Sequence, residues 1–265
     1  MNDHILDSLP LGFIFLASFV MMVGMLEIGF QVAQRSTAKR PKAQVAQVRA
    51  LMGATLGLLA FMLAFTFSGS QQHFENRTQM QIEESILLKN AFLQTDYLIE
   101  PARSEARNLL LEYVEGRIEF KAMAEARETE QVNKLLKRAI DIQQQLWELG
   151  TDDLQYESDV FAQSVLGMVE MQSRRINAVV ANRAPLIIWV TLFFTAAVAM
   201  LVVGYQAGLT GARSPLATLS LAIAFSAVTI LIIDLDRPFQ SLFEIDVSVM
   251  QVLADFMRAS IAGTG

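Results

Sequence analysis

The feature that most restricts how this chain can fold is the segregation of its charges. Glu27 is the only charged residue between Leu11 and Gln34, none occurs from Ala50 to Gln72, none from Pro185 to Ala212, and none from Ser214 to Ile233. About twenty uncharged, mostly apolar residues suffice, as a helix, to cross a hydrocarbon core of roughly 30 Å. The fourth run, ending Ile233-Asp234-Leu235-Asp236-Arg237-Pro238-Phe239, has the sharpest limits. Ser214 suits a helix cap and Pro215 the first helical position, while Pro238 lacks an amide donor and pushes Arg237 out of the helical region.

Charge is nevertheless plentiful: the chain is 53% hydrophobic and still 18% charged. Those charges collect between the second and third runs. The expected fold is therefore all-α, a polytopic membrane protein with four transmembrane helices and a helical-bundle insert between spans two and three. Its parts are an N-terminal transmembrane pair (1–69), an extramembrane bundle (70–184), a C-terminal transmembrane hairpin (185–238) and an amphipathic segment (239–265).

Composition removes several function classes. A net charge of −6 with no basic stripe argues against nucleic acid as a partner. No cysteine is present, so disulfides and thiolate chemistry are excluded, and the two histidines, His4 and His73, lack ligand spacing. Neither a metal site, a cofactor nor an enzyme is expected. Gly208-Leu209-Thr210-Gly211 lacks the Lys-Ser or Lys-Thr of a phosphate loop, and Glu83 and Glu84 diverge by about 100° on a helix, unlike a catalytic pair.

After the first span, about Leu11 to Ala33, come Arg35, Lys39, Arg40, Lys42 and Arg49 with no acidic residue. By the positive-inside rule this loop is cytoplasmic, and the insert and the C-terminus lie on the outer side of the membrane. The second span carries Gly53, Gly57, Ala60 and Ala64 on one face, which predicts close helix packing, beside a stripe of Leu58, Phe61 and Phe65 that would also suit a pore constriction. No helix breaker follows, and the span should run on toward Tyr97 before breaking at Glu100-Pro101.

In the insert, Val132, Leu135, Ala139, Ile142, Leu146 and Leu149 recur at heptad intervals, the seam of helices packed side by side. Trp189 near the start of the third span suits an interfacial anchor. Gly204 to Gly211 with Arg213 reads as a short cytoplasmic turn, and residues 239–258 as an amphipathic helix on the membrane or on the bundle.

Five charged residues are candidates for an ion site or a polar network. Glu27 sits inside an apolar helix, where it needs a partner such as Arg213, water or a proton. Asp234 and Asp236 could ring a cation-attracting vestibule, or simply fix the helix end with Arg237 paired to Glu83 or Glu84. Thr218, Ala222 and Ser226 recur every four residues as a small packing face. Arg174 and Arg175 read as solvated surface.

Several phrases together resemble the bacterial bestrophin-like family of integral membrane proteins, a domain of unknown function. They are Leu26-Glu27-Ile28-Gly29, Arg77 with Glu83 and Glu84, Leu98 to Arg103 with Leu110 and Tyr113, Asn182 to Pro185, Gly204-Tyr205 with Gly208 and Arg213, and Asp234 to Phe239. The chain departs from the family where Gln240 and Ser241 replace a frequent glycine and a nearby basic residue. The resemblance implies kinship with oligomeric anion channels that keep their termini and helical region in the cytoplasm, opposite to the charge-based topology. The expected function is an oligomeric ion channel or pore. The competing expectation is a membrane-anchored scaffold or sensor whose bundle binds a periplasmic partner. Expected partners are membrane lipids, further copies of the chain and an inorganic ion.

Overall fold

The computed structural model describes residues 9–35, 42–151, 159–181, 184–211, 214–237 and 248–263. Eight α-helices lie among them: α1 (Leu11–Arg35), α2 (Lys42–Gln94), α3 (Ala102–Glu125), α4 (Thr129–Gly150), α5 (Asp159–Ala181), α6 (Leu186–Thr210), α7 (Pro215–Asp236) and α8 (Ser248–Gly263). A 3-10 turn at Thr95–Tyr97 follows α2, and no strand occurs among the described residues. The fold is all-α, and α1, α2, α6 and α7 are long and apolar enough to cross a membrane. The chain divides into two compact units, Met1–Phe74 with Arg183–Arg237, and Glu75–Asn182 with Pro238–Gly265.

In the first unit α1 packs most extensively against α6 and then against α7, rather than against α2, its neighbour in sequence. Glycines explain the closeness of α1 and α6. A Cβ at Gly29 would collide with the Leu201 carbonyl, one at Gly204 with the Leu26 carbonyl, and one at Gly208 would lie 2.7 Å from the Phe30 carbonyl oxygen. Leu26 sits beside Gly204 and Phe30 beside Gly208, so the two helices run in the same direction. Met22 meets Ser226 while Arg237 meets Leu9, so α1 and α7 run in opposite directions. The core of the unit contains Met22, Leu59, Leu192, Met200 and Ile232.

Two expectations are corrected here. Gly204 and Gly208 belong to α6, which continues to Thr210 and stops at Gly211, whose φ of +66° is the left-handed conformation favoured for a residue ending a helix. Trp189 is 3% exposed and packs in this core, facing inward rather than outward as an interfacial anchor. At the end of α7, Arg237 is extended at φ −71° and ψ 133°, as a residue before proline should be. Ser214 precedes α7 without a side-chain cap, and Pro215 takes its first turn.

The second unit is built from the polar half of α2 with α3, α4, α5 and α8. Each contributes one stripe to a single core, including Leu88 and Phe92, Leu110 and Val114, Ile142 and Leu146, Phe161 and Val165, and Leu253 and Met257. The alternating three- and four-residue spacing places these residues on one face of each helix. The C-terminal helix spans Ser248–Gly263, and Met250, Leu253, Ala254 and Met257 bury its apolar face in this core. Within the described residues the expected helix over 239–258 is present from Ser248, continues to Gly263 and lies on the bundle; residues 238–247 are outside the described residues. The Leu98–Pro101 corner is held by side chains, with Arg103 donating to the Leu98 carbonyl at 3.0 Å and Arg107 to Asp96 Oδ1 at 2.6 Å.

Candidate functional site

Polar groups gather at two places, one in each unit. The first lies where α7 ends. Asp234 is wholly buried, and Asp236 Oδ1 lies 3.3 Å from His73 Nδ1 of α2 and accepts the Ala184 N–H at 3.4 Å. Arg237 is 5% exposed and donates to the Leu9 carbonyl at 2.7 Å. The Asp-Leu-Asp-Arg phrase thereby ties the end of α7 to α2 and to the segments that enter α1 and α6. Asp236 and Arg237 act here as ties between helix ends, while the carboxylates of Glu83 and Glu84, considered as partners of Arg237, are engaged by Gln79 and by two other arginines.

Glu27 is half-buried on α1, at the level where Leu26 abuts Gly204, and its carboxylate accepts from Gln31 Nε2 at 3.1 Å. Arg213, its suggested partner, lies outside the described residues. The small faces behave differently from one another. Ala222 and Ser226 are buried, with Ser226 Oγ 3.7 Å from Met22 Sδ, and Thr218 is half-buried. Gly53, Gly57, Ala60 and Ala64 are exposed, and a Cβ at Gly53 or Gly57 would meet no atom within 4 Å. Among the described residues of the chain, therefore, no neighbour packs on Gly53 or Gly57. Ala60 and Ala64 instead line an apolar groove of about 380 Å³ whose other wall is Leu221, Ala224, Phe225 and Val228 of α7.

The second polar site was not anticipated. Glu84 lies on the buried face of α2, and its two carboxylate oxygens take Arg117 Nε at 3.0 Å and Arg117 Nη2 at 3.3 Å. Arg175 Nη1 of α5 bonds the same carboxylate, and Arg175 also hydrogen-bonds Tyr113. Gln143 of α4 donates to the Tyr113 hydroxyl at 3.4 Å. One polar layer thus joins four helices inside an otherwise apolar bundle.

Its electrostatics follow from the geometry. Burial pushes the Glu84 carboxyl up, but Arg117 and Arg175 outweigh this and hold it below the ordinary range. Burial, then Glu84, raise the Tyr113 hydroxyl, which stays neutral. Burial opposes the charge on Arg175, yet Glu84 keeps it protonated beyond the usual value. A signal existed in the sequence: Glu84, Leu88, Ala91 and Thr95 fall on one helical stripe, so the carboxylate occupies a core position. Reading Arg175 as solvated surface is corrected, since its side chain is 19% exposed; Arg174 is the exposed one of the pair. Among the described residues, no three His, Asp or Glu side chains are placed to hold a metal.

A family model described as "Bestrophin-like domain" matches residues 16–250. Neither the curated proteins nor the solved structures gave a significant match. The matched region runs from the first turns of α1 into α8 and takes in all four apolar helices, the polar layer and the ties at the end of α7. The chain belongs to the bestrophin-like family and is a membrane protein.

Proposed function

We propose that this chain is one subunit of a symmetric homo-oligomer that forms an ion-conducting pore in a bacterial inner membrane, with its helical insert in the periplasm. Family membership supports the reading, and one observation carries it. The small-residue face of α2, with Gly53, Gly57, Ala60 and Ala64, is left open within the chain although it lies in an apolar, membrane-length stretch. Such faces let helix backbones approach one another in lipid, which suits contact with another subunit. Beside it Leu58, Phe61 and Phe65 are also exposed, and in an oligomer they form the apolar constriction of the pore. Glu27 is the candidate for shaping ion selectivity. Asp234 and Asp236 serve better as structural ties than as a vestibule ring, given the burial of the first and the hydrogen bonds of the second.

The test is ion flux through the purified, verified oligomer in liposomes. Conductance is expected, Phe61→Ser should raise it at rest, and Glu27→Gln should change the permeability ratio of cations to anions. An oligomer that is silent across pH and voltage overturns the reading. A scaffold or sensor would then stand in its place, favoured by exposed apolar side chains on the second unit, including Ile86, Leu93, Ile140 and Val252.

A further inference from the structure

We infer that the polar layer of the helical insert binds a small inorganic anion beside Arg117 and Arg175. The inference begins from charge balance. Two guanidiniums share one carboxylate, and the side chains of Arg117, Arg175 and Glu84 are only 15%, 19% and 4% exposed. Tyr113, the other titratable group in the layer, is held neutral and supplies no counter-charge. The layer therefore carries one net positive charge at neutral pH. Among the described residues, neither guanidinium has a second carboxylate at ion-pairing distance: Arg117 otherwise lies over the Phe120 ring, and Arg175 otherwise bonds Tyr113. A buried charge without its counter-charge is strongly disfavoured, and guanidinium N–H groups not used on Glu84 are suitable donors to an anion.

A second observation points the same way. Gln172 sits on the buried face of α5 one turn before Arg175, is 5% exposed, and has a side-chain oxygen that is buried without a hydrogen-bond partner. The two ends of a side-chain amide are interchangeable by rotation, so this group can turn N–H donors toward a bound anion. Leu88 and Val114, each one turn or less from Glu84 or Arg117 along its helix, are completely buried. A close-packed setting of this kind has no room for a phosphate ester or an organic acid, which restricts the anion to a monatomic ion. The ion is a resident counter-charge, so the inference is independent of whether the spans conduct.

Thermal unfolding of the full-length protein in detergent decides it, with sodium chloride and sodium bromide compared against sodium gluconate at constant ionic strength. An anion that binds only the folded state should raise the melting temperature with the logarithm of its concentration once above its Kd, by about 3–6 °C at ten times its Kd. Arg175→Gln and Arg117→Gln each leave Glu84 one arginine and bring the layer to neutrality, so the halide effect should vanish in both. Glu84→Gln adds to the excess charge and should enlarge it. Equal melting in halide and gluconate for the unaltered protein overturns the inference. So does a halide effect that persists in either arginine variant, and, if neither variant folds, so does a Glu84→Gln protein whose halide dependence is no greater than that of the unaltered chain.

Discussion

Burial alone would favour a protonated Glu84, and the two guanidiniums reverse that preference. A depressed carboxyl contributes stability that is fully present above its unfolded value, ordinarily 4.5, and is lost as the pH falls through its folded value. Glu84→Gln should therefore cost about 3–5 kcal/mol at neutral pH, because it leaves two buried arginines facing a neutral amide. The gap between variant and unaltered protein should narrow below pH 4.5, where the carboxylate itself becomes protonated. Melting curves from pH 7 to pH 3 check this, and a gap that stays constant over the range would refute the assignment. At this scale the sequence was partly legible. Glu27 and the Asp234 to Arg237 cluster stood out because charge in or beside an apolar run is conspicuous. Glu84 and Arg175 did not, because in a segment dense in charge only the partner across the bundle distinguishes a buried ion from a solvated one.

Helices show the same division between pattern and partner. Apolar spacing was enough to place α2 as one long helix that ends before the Glu100-Pro101 break, and to locate the seam of α4, since Ile142 and Leu146 are fully buried. Small-residue spacing was not enough, because Gly53 and Gly57 read as a packing face yet are open, while Gly204 and Gly208 read as a turn yet hold α6 against α1. The difference is testable with one methyl group. Gly204→Ala should destabilise the protein by about 1–3 kcal/mol, since its Cβ would press on the backbone of Leu26. Gly24→Ala, on the same pair of helices but with no atom within 4 Å of the new Cβ, should be neutral or stabilising by up to about 1 kcal/mol. Equal effects in a thermal unfolding comparison would show that the α1–α6 contact is not limiting.

For the whole molecule, the directions of the helices in the first unit agree with four successive crossings. The first and third spans run together, the first and fourth run oppositely, and the second and fourth run together because Ala60 faces the Leu221 groove while His73 reaches Asp236. Which end faces the cytoplasm rests on the basic loop after α1. A cysteine at Ser104 in the insert should react with an impermeant thiol reagent in intact cells, and one at Ser36 in the loop should not; the native chain has no cysteine to interfere. Reversed labelling would put the insert in the cytoplasm. What the sequence by itself determined was the all-α class, the four apolar helices and the family, because hydrophobic runs, charge segregation and short motifs are local properties of the chain. Only the tertiary structure decided that α1 packs on α6, that Asp236 bonds His73 and the Ala184 amide, and that one carboxylate holds two arginines in the bundle. Those outcomes depend on the distance between residues far apart in sequence, and a linear pattern carries no measure of that distance.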